Sequence, residues 1–332
     1  MRLTDAEIRD HLRRGEPLSF PELRGIRAEW IEELIQGPNR TIPVRVEIVR
    51  GRFEGRLDLT HVTFESDFIL EGCQVNEKAD FRFATFKRAA RFNGTRFIQT
   101  VTFSGANAEL DFEVNGTGFP DGSVLNDLRV GQVLSACGAQ FGAVDLSRLE
   151  VRKFVDCSSA VFGGDVTFEG GSVAGDAKFD GARFVASGNF KGLEVGGSLS
   201  FRPFTKDGKT VSVSFGGRSN FAHLKVSRES VFPHTVFEKK AEAIFVKSDL
   251  GEVAIFSGAS FLGRTFFYDA QIHGDALFNV DAVSGNHRPV RFVGDARFDS
   301  VHIEGNAVFH RANFEGRGVV FHGTYRRQGA VY

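Results

Sequence analysis

The stretch Gly294–Gly316, GDARFDSVHIEGNAVFHRANFEG, places a large apolar residue at every fifth or sixth position. These residues, at separations of five, six and five, are Phe298, Ile303, Phe309 and Phe314. In an extended segment alternate residues share a face, so Ala296 and Phe298 point to the same side. Asp295 and Arg297 then point to the other side. The pattern predicts short strands, each with one small and one large residue inside, joined by corners.

The same unit, G-x-A-x-F-x-x-A-x-F-x, recurs in Gly175–Val185 and Gly305–Glu315. If each step of five or six residues forms one side, four sides make a coil of about 22 residues, and equivalent positions stack about 4.8 Å apart. A helix is excluded because these spacings scatter around its axis. A left-handed hexapeptide helix, the alternative, needs about 18 residues per coil. The alternation of five and six drifts out of that register.

The segment Ala79–Phe92, ADFRFATFKRAARF, shows the pattern most clearly. It resembles the pentapeptide-repeat proteins, whose units carry a small residue two positions before a central Leu or Phe. The resemblance covers Val46 to Phe321 and implies an all-β solenoid, a right-handed, four-sided parallel β-helix. One departure is that half of the steps are six residues rather than five, which implies a slightly larger coil with a looser corner.

Three segments are expected: a helical N-terminal cap over 1–45, the β-helix over 46–321 and a C-terminal tail over 322–332. Thr4 to Glu7 has the form of a capping box and predicts a short helix with Ile8 and Leu12 on one side. A second helix is predicted over Pro21–Ile35. Its apolar stripe would consist of Leu23, Ile26, Trp30, Ile31, Leu34 and Ile35. A cap packed on the first coil is favoured over a partner-binding helix.

The region after Phe314 shows no amphipathic period that would predict a second cap. A solenoid end without a cap exposes strand edges that can pair with another chain. We therefore expect a homodimer formed through the C-terminal coil.

The composition argues against several partners and compartments. Lys and Arg number 41 against 42 Asp and Glu, so there is no global field to attract nucleic acid or an anionic membrane. The N-terminus has no apolar signal region, and no window approaches a membrane helix, so a cytoplasmic protein is expected. The three cysteines, Cys73, Cys137 and Cys157, include no CxxC pair and are interpreted as small buried hydrophobes.

The repeat is interrupted at three places, and loops on a rigid scaffold often carry binding sites. One interruption lies between Phe119 and Phe141, and a second, Arg202–Phe215, contains the hairpin signal Asp207-Gly208. The third surrounds His287. The first two are predicted to leave the same corner and to form one lateral site, the alternative being tolerated surface insertions.

The candidate binding residues are a basic girdle and the hairpin tip. They are Arg82, Lys87, Arg88, Arg91, Arg96, Lys206, Asp207 and Lys209. An acidic girdle follows the basic one, with Glu109, Asp111, Glu113, Asp121 and Asp127. Such a polarised surface would suit phosphates or an acidic partner. A solvated repeat face is the alternative interpretation.

No sequence motif for nucleotide, metal or nucleophilic chemistry is present, so no catalytic, cofactor-binding or metal residue is predicted. His302, His310 and His322 do not follow the 22-residue period and are not expected to stack as metal ligands. The recurrent corner acids are Asp165, Asp176, Asp275 and Asp295. A turn-stabilising role is sufficient for them.

The leading hypothesis is a non-enzymatic scaffold or protein-binding module that presents a rigid surface to a macromolecular partner, expected to be a protein. The resemblance implies an alternative, because some pentapeptide-repeat proteins mimic DNA and bind DNA gyrase. That mimicry requires a strongly acidic exterior, which the net charge of -1 does not supply. A β-helix carbohydrate-active enzyme is the second alternative and requires an outward carboxylate cluster.

Overall fold

The computed structural model describes residues 3–280, 288–322 and 325–326. The chain divides into two compact units, Met1–Asp156 and Cys157–Tyr332. In each unit short parallel strands form coils with four sides, which we call faces A, B, C and D in their order along the chain. The fold class is thus confirmed as a parallel β-solenoid with a short N-terminal helix.

The first unit begins with a helix, Asp5–Arg14, a strand, Leu18–Arg27, and a short helix, Ala28–Glu32. Face A consists of Val46–Glu54, which continues onto face B, and of Phe68–Glu71, Ala90–Arg91, Phe112–Glu113, Val133–Ser135 and Phe154–Asp156. Face B adds Gln74–Val75, Arg96–Phe97, Gly118–Phe119 and Gln140–Phe141. Face C has Leu57–Asp58, Ala79–Asp80, Val101–Thr102, Ser123–Val124 and Val144–Asp145. Face D has Thr41–Ile42, Thr63–Phe64, Thr85–Phe86, Asn107–Ala108, Arg129–Val130 and Glu150–Val151.

In the second unit, face A consists of Ala177–Lys178, Leu199–Ser200, Glu229–Val231, Val253–Ile255, Asp275–Leu277 and Ala307–Val308. Face B has Val161–Phe162, Arg183–Phe184, Ser214–Phe215, Val236–Phe237, Ser260–Phe261, Arg291–Phe292 and Asn313–Phe314. Face C has Val166–Thr167, Gly188–Asn189, Ser219–Asn220, Ala243–Ile244, Thr265–Phe266, Ala296–Arg297 and Val319–Val320. Face D has Ser172–Val173, Glu194–Val195, Lys225–Val226, Gln271–Ile272, His302–Ile303 and Tyr325–Arg326.

The regular coil has the predicted length. Ala90 pairs with Phe68 on one side and with Phe112 on the other, 22 residues away in each direction. The rings of Phe64 and Phe86 stack with centroids 4.8 Å apart and planes 2° from parallel. Burying each ring stabilises the fold by about 1.5–3 kcal/mol. The 18-residue hexapeptide helix is therefore wrong.

The N-terminal segment confirms one predicted helix and corrects the other. Thr4 caps the helix Asp5–Arg14 through a complete capping box, and Ile8 and Leu12 are buried. The second helix is wrong for most of its length, because Leu18–Arg27 is a strand that pairs in parallel with Val46–Glu54. Only Ala28–Glu32 is helical. Backbone pairing with the first coil outweighs the helical period, because an unpaired strand edge leaves N–H and C=O groups without partners.

The interruption predicted between Phe119 and Phe141 is wrong. Phe119 pairs with Phe141 at the normal spacing, and strands of faces C, D and A lie between them. Smaller apolar residues fill the inside positions of this coil: Leu125, Val130 and Ala136 are 1%, 1% and 2% exposed. The lateral site predicted from this loop and the second one therefore loses its basis.

The second interruption is a true insertion. Phe184 pairs with Phe215, 31 residues further on, so this coil holds nine residues more than the regular one. The corresponding step from Phe261 to Phe292 is also 31 residues. The third predicted interruption falls in this coil, and its residues 281–287, including His287, lie outside the described residues.

None of the three cysteines forms a disulfide within the described residues. Cys73 and Cys157 are 2% and 3% exposed, as expected for small core residues, whereas Cys137 is only half-buried. Burial raises the pKa of the Cys73 thiol to about 12, so this group stays protonated and poorly nucleophilic.

Candidate binding surfaces

The basic girdle is distributed around one coil rather than gathered into a patch. Arg82 follows the face C strand, Lys87 follows the face D strand, and Arg88 lies at the corner between faces D and A. Arg91 belongs to face A and Arg96 to face B. The five cations therefore point in different directions.

Three of these cations are neutralised by acidic side chains. Arg82 donates to Asp80 at 2.7 Å, and Lys87 donates to Glu65 at 2.9 Å. The hydrogen bond from Lys87 to Glu65 raises the pKa of that lysine. Arg91 donates in the same way to Glu113 of the next coil, at 2.9 Å.

The acidic girdle is also engaged within the stack. Asp111 accepts a hydrogen bond from the backbone N–H of Val133 at 3.1 Å, and Asp121 from that of Ala143 at 2.7 Å. Asp127 pairs with Arg148 at 2.6 Å. Arg91 of the basic girdle pairs with Glu113 of the acidic girdle, and most of the other engaged members bond to residues of neighbouring coils.

Face B of the first unit is different, because its cations are not paired. Arg52 and Arg96 are outward residues of this face, with Gln74 between them in the strand register. Arg50 stands at the adjoining corner. All three arginine side chains are exposed, and none of these side chains forms an ion pair or hydrogen bond within the described part of the chain. Two coil spacings separate Arg52 from Arg96, which is about 10 Å.

A shallow hollow of about 600 Å³ adjoins Arg96 on the same face. It exists because the next outward position is Gly118, which has no side chain to continue the column between Arg96 and Gln140. Ile98, 45% exposed, and Pro120 supply apolar surface at its side. We call Arg50, Arg52, Arg96 and this hollow the face B shelf.

Sequence reasoning found Arg96 but missed Arg50 and Arg52. The signal was present, because Arg52, Gln74 and Arg96 lie 22 residues apart and must share a column in a 22-residue coil. Grouping cations along the chain, as in the girdle, hides such a column. Grouping them by coil position reveals it.

The predicted hairpin is present. Phe204–Lys206 pairs in antiparallel fashion with Lys209–Val211. Asp207 and Gly208 both have positive φ, 51° and 72°, as the tight two-residue turn requires. The side chains of Asp207 and Lys209 are exposed at the tip, and for Lys206 the structure describes the backbone position in the first strand.

The corner acids, for which a turn-stabilising role was expected, bond to the following coil. The carboxylate of Asp165 accepts from the N–H of Ser187 at 2.9 Å. The other three accept equivalent bonds: Asp176 from Ser198 at 2.9 Å, Asp275 from Asn306 at 2.7 Å and Asp295 from Gly318 at 3.0 Å. Each acid satisfies a backbone donor of the following coil, so its geometry has a structural explanation.

One histidine cluster was not foreseen. The ring of His273 lies between two carboxylates, with Nε2 3.2 Å from Asp249 and Nδ1 3.2 Å from Glu304. Hydrogen bonding to Glu304 and then to Asp249 raises the pKa of His273. His302 lies 4.0 Å from Glu304. Within the described residues, no group of three or more His, Cys, Asp or Glu is arranged to hold a metal ion.

Comparison with known proteins agrees with the architecture. A family profile described as "Pentapeptide repeats (9 copies)" matches residues 70–113. These residues match the pentapeptide-repeat family. The resemblance inferred from the sequence is therefore confirmed for this segment, and the same strand register continues through the first unit on both sides of it.

A solved structure that is similar is HetL, a pentapeptide repeat protein involved in heterocyst differentiation regulation from the cyanobacterium Nostoc sp. strain PCC 7120. The two chains are 10% identical, and the alignment covers 99% of this chain and 94% of that chain with a TM-score of 0.17. The comparison with curated proteins found no significant match.

No helix in the described part of the chain is long and apolar enough to cross a membrane.

Proposed function

We propose that the protein is a non-enzymatic scaffold or protein-binding module that presents rigid β-solenoid faces to a protein partner. The observation that supports this is the use of polar side chains as ties between coils. Asp165 and Asp176 accept backbone N–H groups of the next coil, and Arg91 pairs with Glu113 of the next coil. Such cross-coil bonds hold the faces in one conformation, which lowers the entropy cost of binding a partner.

The alternatives are less well supported. A β-helix carbohydrate-active enzyme needs two carboxylates facing a substrate, whereas the recurrent corner acids are bound to backbone donors. A DNA mimic needs a continuous acidic exterior. The face B shelf instead exposes Arg50, Arg52 and Arg96 without acidic partners.

Affinity capture from host extract tests the proposed function. The intact protein and a variant lacking Thr205 to Thr210 serve as baits, and retained proteins are identified by mass spectrometry with and without nuclease. A protein retained only by the intact form would assign binding to the hairpin. A protein retained by both forms would support the scaffold and direct attention to another face. Retention of nothing by either bait would count against the proposal.

The homodimer through the C-terminal coil stays a prediction. Phe314 is half-buried and Phe321 is 47% exposed, so this coil offers apolar surface within the described residues. Light scattering at micromolar concentration distinguishes a dimeric mass from a monomeric one.

A further inference from the structure

The face B shelf combines unpaired positive charge with an apolar hollow. Elsewhere in the same coil, Arg82, Lys87 and Arg91 are held by acidic side chains. The outward positions of face B between Arg52 and Gly142, by contrast, include a single acidic residue, Glu54. An unpaired guanidinium keeps its donors free for a ligand carboxylate.

We propose that the face B shelf binds an acidic segment of a partner protein, with carboxylates on Arg52 and Arg96 and an apolar side chain in the hollow beside Ile98. This inference rests on the proposed protein-binding function and names the partner's chemistry. Charge complementarity supplies the specificity for acidic residues. The hollow adds a requirement for an apolar residue next to them.

The spacing of the two arginines suits a particular backbone. A peptide in the polyproline II conformation has three residues per turn and rises about 3.1 Å per residue, so side chains three residues apart lie on one side about 9 Å apart. Arg52 and Arg96 stand about 10 Å apart across two coils. Two acidic residues separated by two others therefore reach both arginines. An apolar residue three positions further on lies about 9 Å beyond Arg96 and reaches the far part of the hollow, beside Gln140.

A single-stranded nucleic acid fits the shelf less well. Proteins that bind single strands combine basic charge with exposed aromatic rings on which bases stack. The rings on this part of face B point inward, and Phe97 and Phe119 are each 3% exposed. Ile98 and Pro120 give the hollow an aliphatic surface instead.

Fluorescence anisotropy with a labelled peptide tests the proposal on the full chain. The probe carries two glutamates three residues apart, proline spacers and a leucine three residues later. We expect the double variant R52E/R96E to bind it at least about tenfold more weakly, because two charge pairs are replaced by repulsion. A peptide with glutamine in place of both glutamates should bind the wild type about as weakly as the glutamate peptide binds R52E/R96E.

The matched control is R88E/R152E. The side chains of Arg88 and Arg152 are exposed, form no ion pair or hydrogen bond within the described residues, and lie off face B. This variant makes the same change in net charge and should stay within about twofold of the wild type. Equal losses in the two double variants would mean non-specific attraction and would overturn the proposal. Circular dichroism and thermal unfolding confirm that each variant is folded.

Filling the hollow tests the apolar part. A Cβ at Gly118 would lie 3.6 Å from Cγ of Arg96, an ordinary contact, so Gly118→Leu is expected to fold. This substitution should weaken binding of the leucine peptide several-fold. It should leave the binding of a peptide with alanine at that position unchanged. Equal effects on both peptides would contradict the role of the hollow.

Two further outcomes decide the class of partner. Absence of peptide binding to the wild type at 200 μM, or a single-stranded oligonucleotide that binds more tightly and is not displaced by the peptide, would overturn the acidic-peptide proposal.

Affinity capture with R52E/R96E separates this proposal from the proposed function. A partner retained equally by wild type and variant would support the scaffold function and would contradict binding at the face B shelf.

Discussion

Two stretches of this chain look alike in sequence but differ in structure. Between Phe119 and Phe141, and again between Phe201 and Phe215, the spacing of phenylalanines at five or six residues is broken. The first stretch is a complete coil in register, because Phe119 pairs with Phe141. The second contains an added hairpin, Phe204–Val211, that leaves the coil. Loss of phenylalanine changes how the interior is filled, whereas added length changes the path of the chain.

The reason lies in what each position must satisfy. An inside position needs an apolar side chain of suitable volume, which Leu125 and Val130 also provide. Strand pairing needs a constant number of residues between coils, so extra residues must leave at a corner, where no ladder bond is lost. The comparison can be tested at four levels of effect.

The largest effect is expected from truncation of the ring stack. Phe81 is fully buried and stacks on Phe103 with centroids 4.7 Å apart. Phe81→Ala should lower the free energy of unfolding by about 3–5 kcal/mol, measured by urea denaturation. Leu125→Ala, in the coil without central phenylalanines, should cost about 2–5 kcal/mol. A negligible loss at Leu125 would mean that this coil is not packed as described.

A methyl group added to the backbone separates the two stretches more sharply. At Gly131 a Cβ would lie 2.0 Å from the carbonyl oxygen of Glu109, so Gly131→Ala forces adjacent coils apart and should cost about 1–3 kcal/mol. At Gly208, in the hairpin, no atom lies within 4 Å. Gly208→Ala should cost about 1 kcal/mol, from its positive φ alone. Thermal unfolding of both variants is the measurement, and a reversed order would contradict the comparison.

Removal of the insertion should have a small effect. Deletion of Pro203 to Val211 removes nine residues and restores the 22-residue spacing between Phe184 and Phe215. The free energy of unfolding should change by no more than about 1 kcal/mol, since loop length contributes weakly. Deleting nine residues from Pro120 to Leu128 is the control and should prevent folding of that coil. Similar circular dichroism and stability of both deletions would show that the first stretch is dispensable too.

The smallest effect concerns the histidine between coils of the second unit. The pKa of His273 is raised by Glu304 and then by Asp249, so protonation is favoured in the folded state. Its contribution is fully present below about pH 6.5 and is lost as the pH rises through the higher folded pKa. His273→Gln should reduce the change in melting temperature across this range. His310→Gln, at an exposed histidine, is the control, and an NMR titration that shows no upward pKa shift would refute the pairing.

The sequence alone determined the coil, the inward column and the corner acids. Phe64 and Phe86 stack, and Asp165 ties to Ser187, because a 22-residue period brings equivalent positions together whatever the partner residues are. Local chemistry likewise determined the capping box at Thr4 and the turn at Asp207, since both depend on residues only a few positions apart.

Only the tertiary structure decided the competition between elements and the balance of charges. The segment Leu18–Arg27 became a strand because the first coil offered a ladder to pair with, which no helical period in the segment reveals. Arg91 and Arg96 are similar in sequence context, yet Arg91 meets Glu113 of the next coil and Arg96 meets Gly118. For these two arginines, the residue 22 positions further on thus determines whether the guanidinium is neutralised or has no acidic partner.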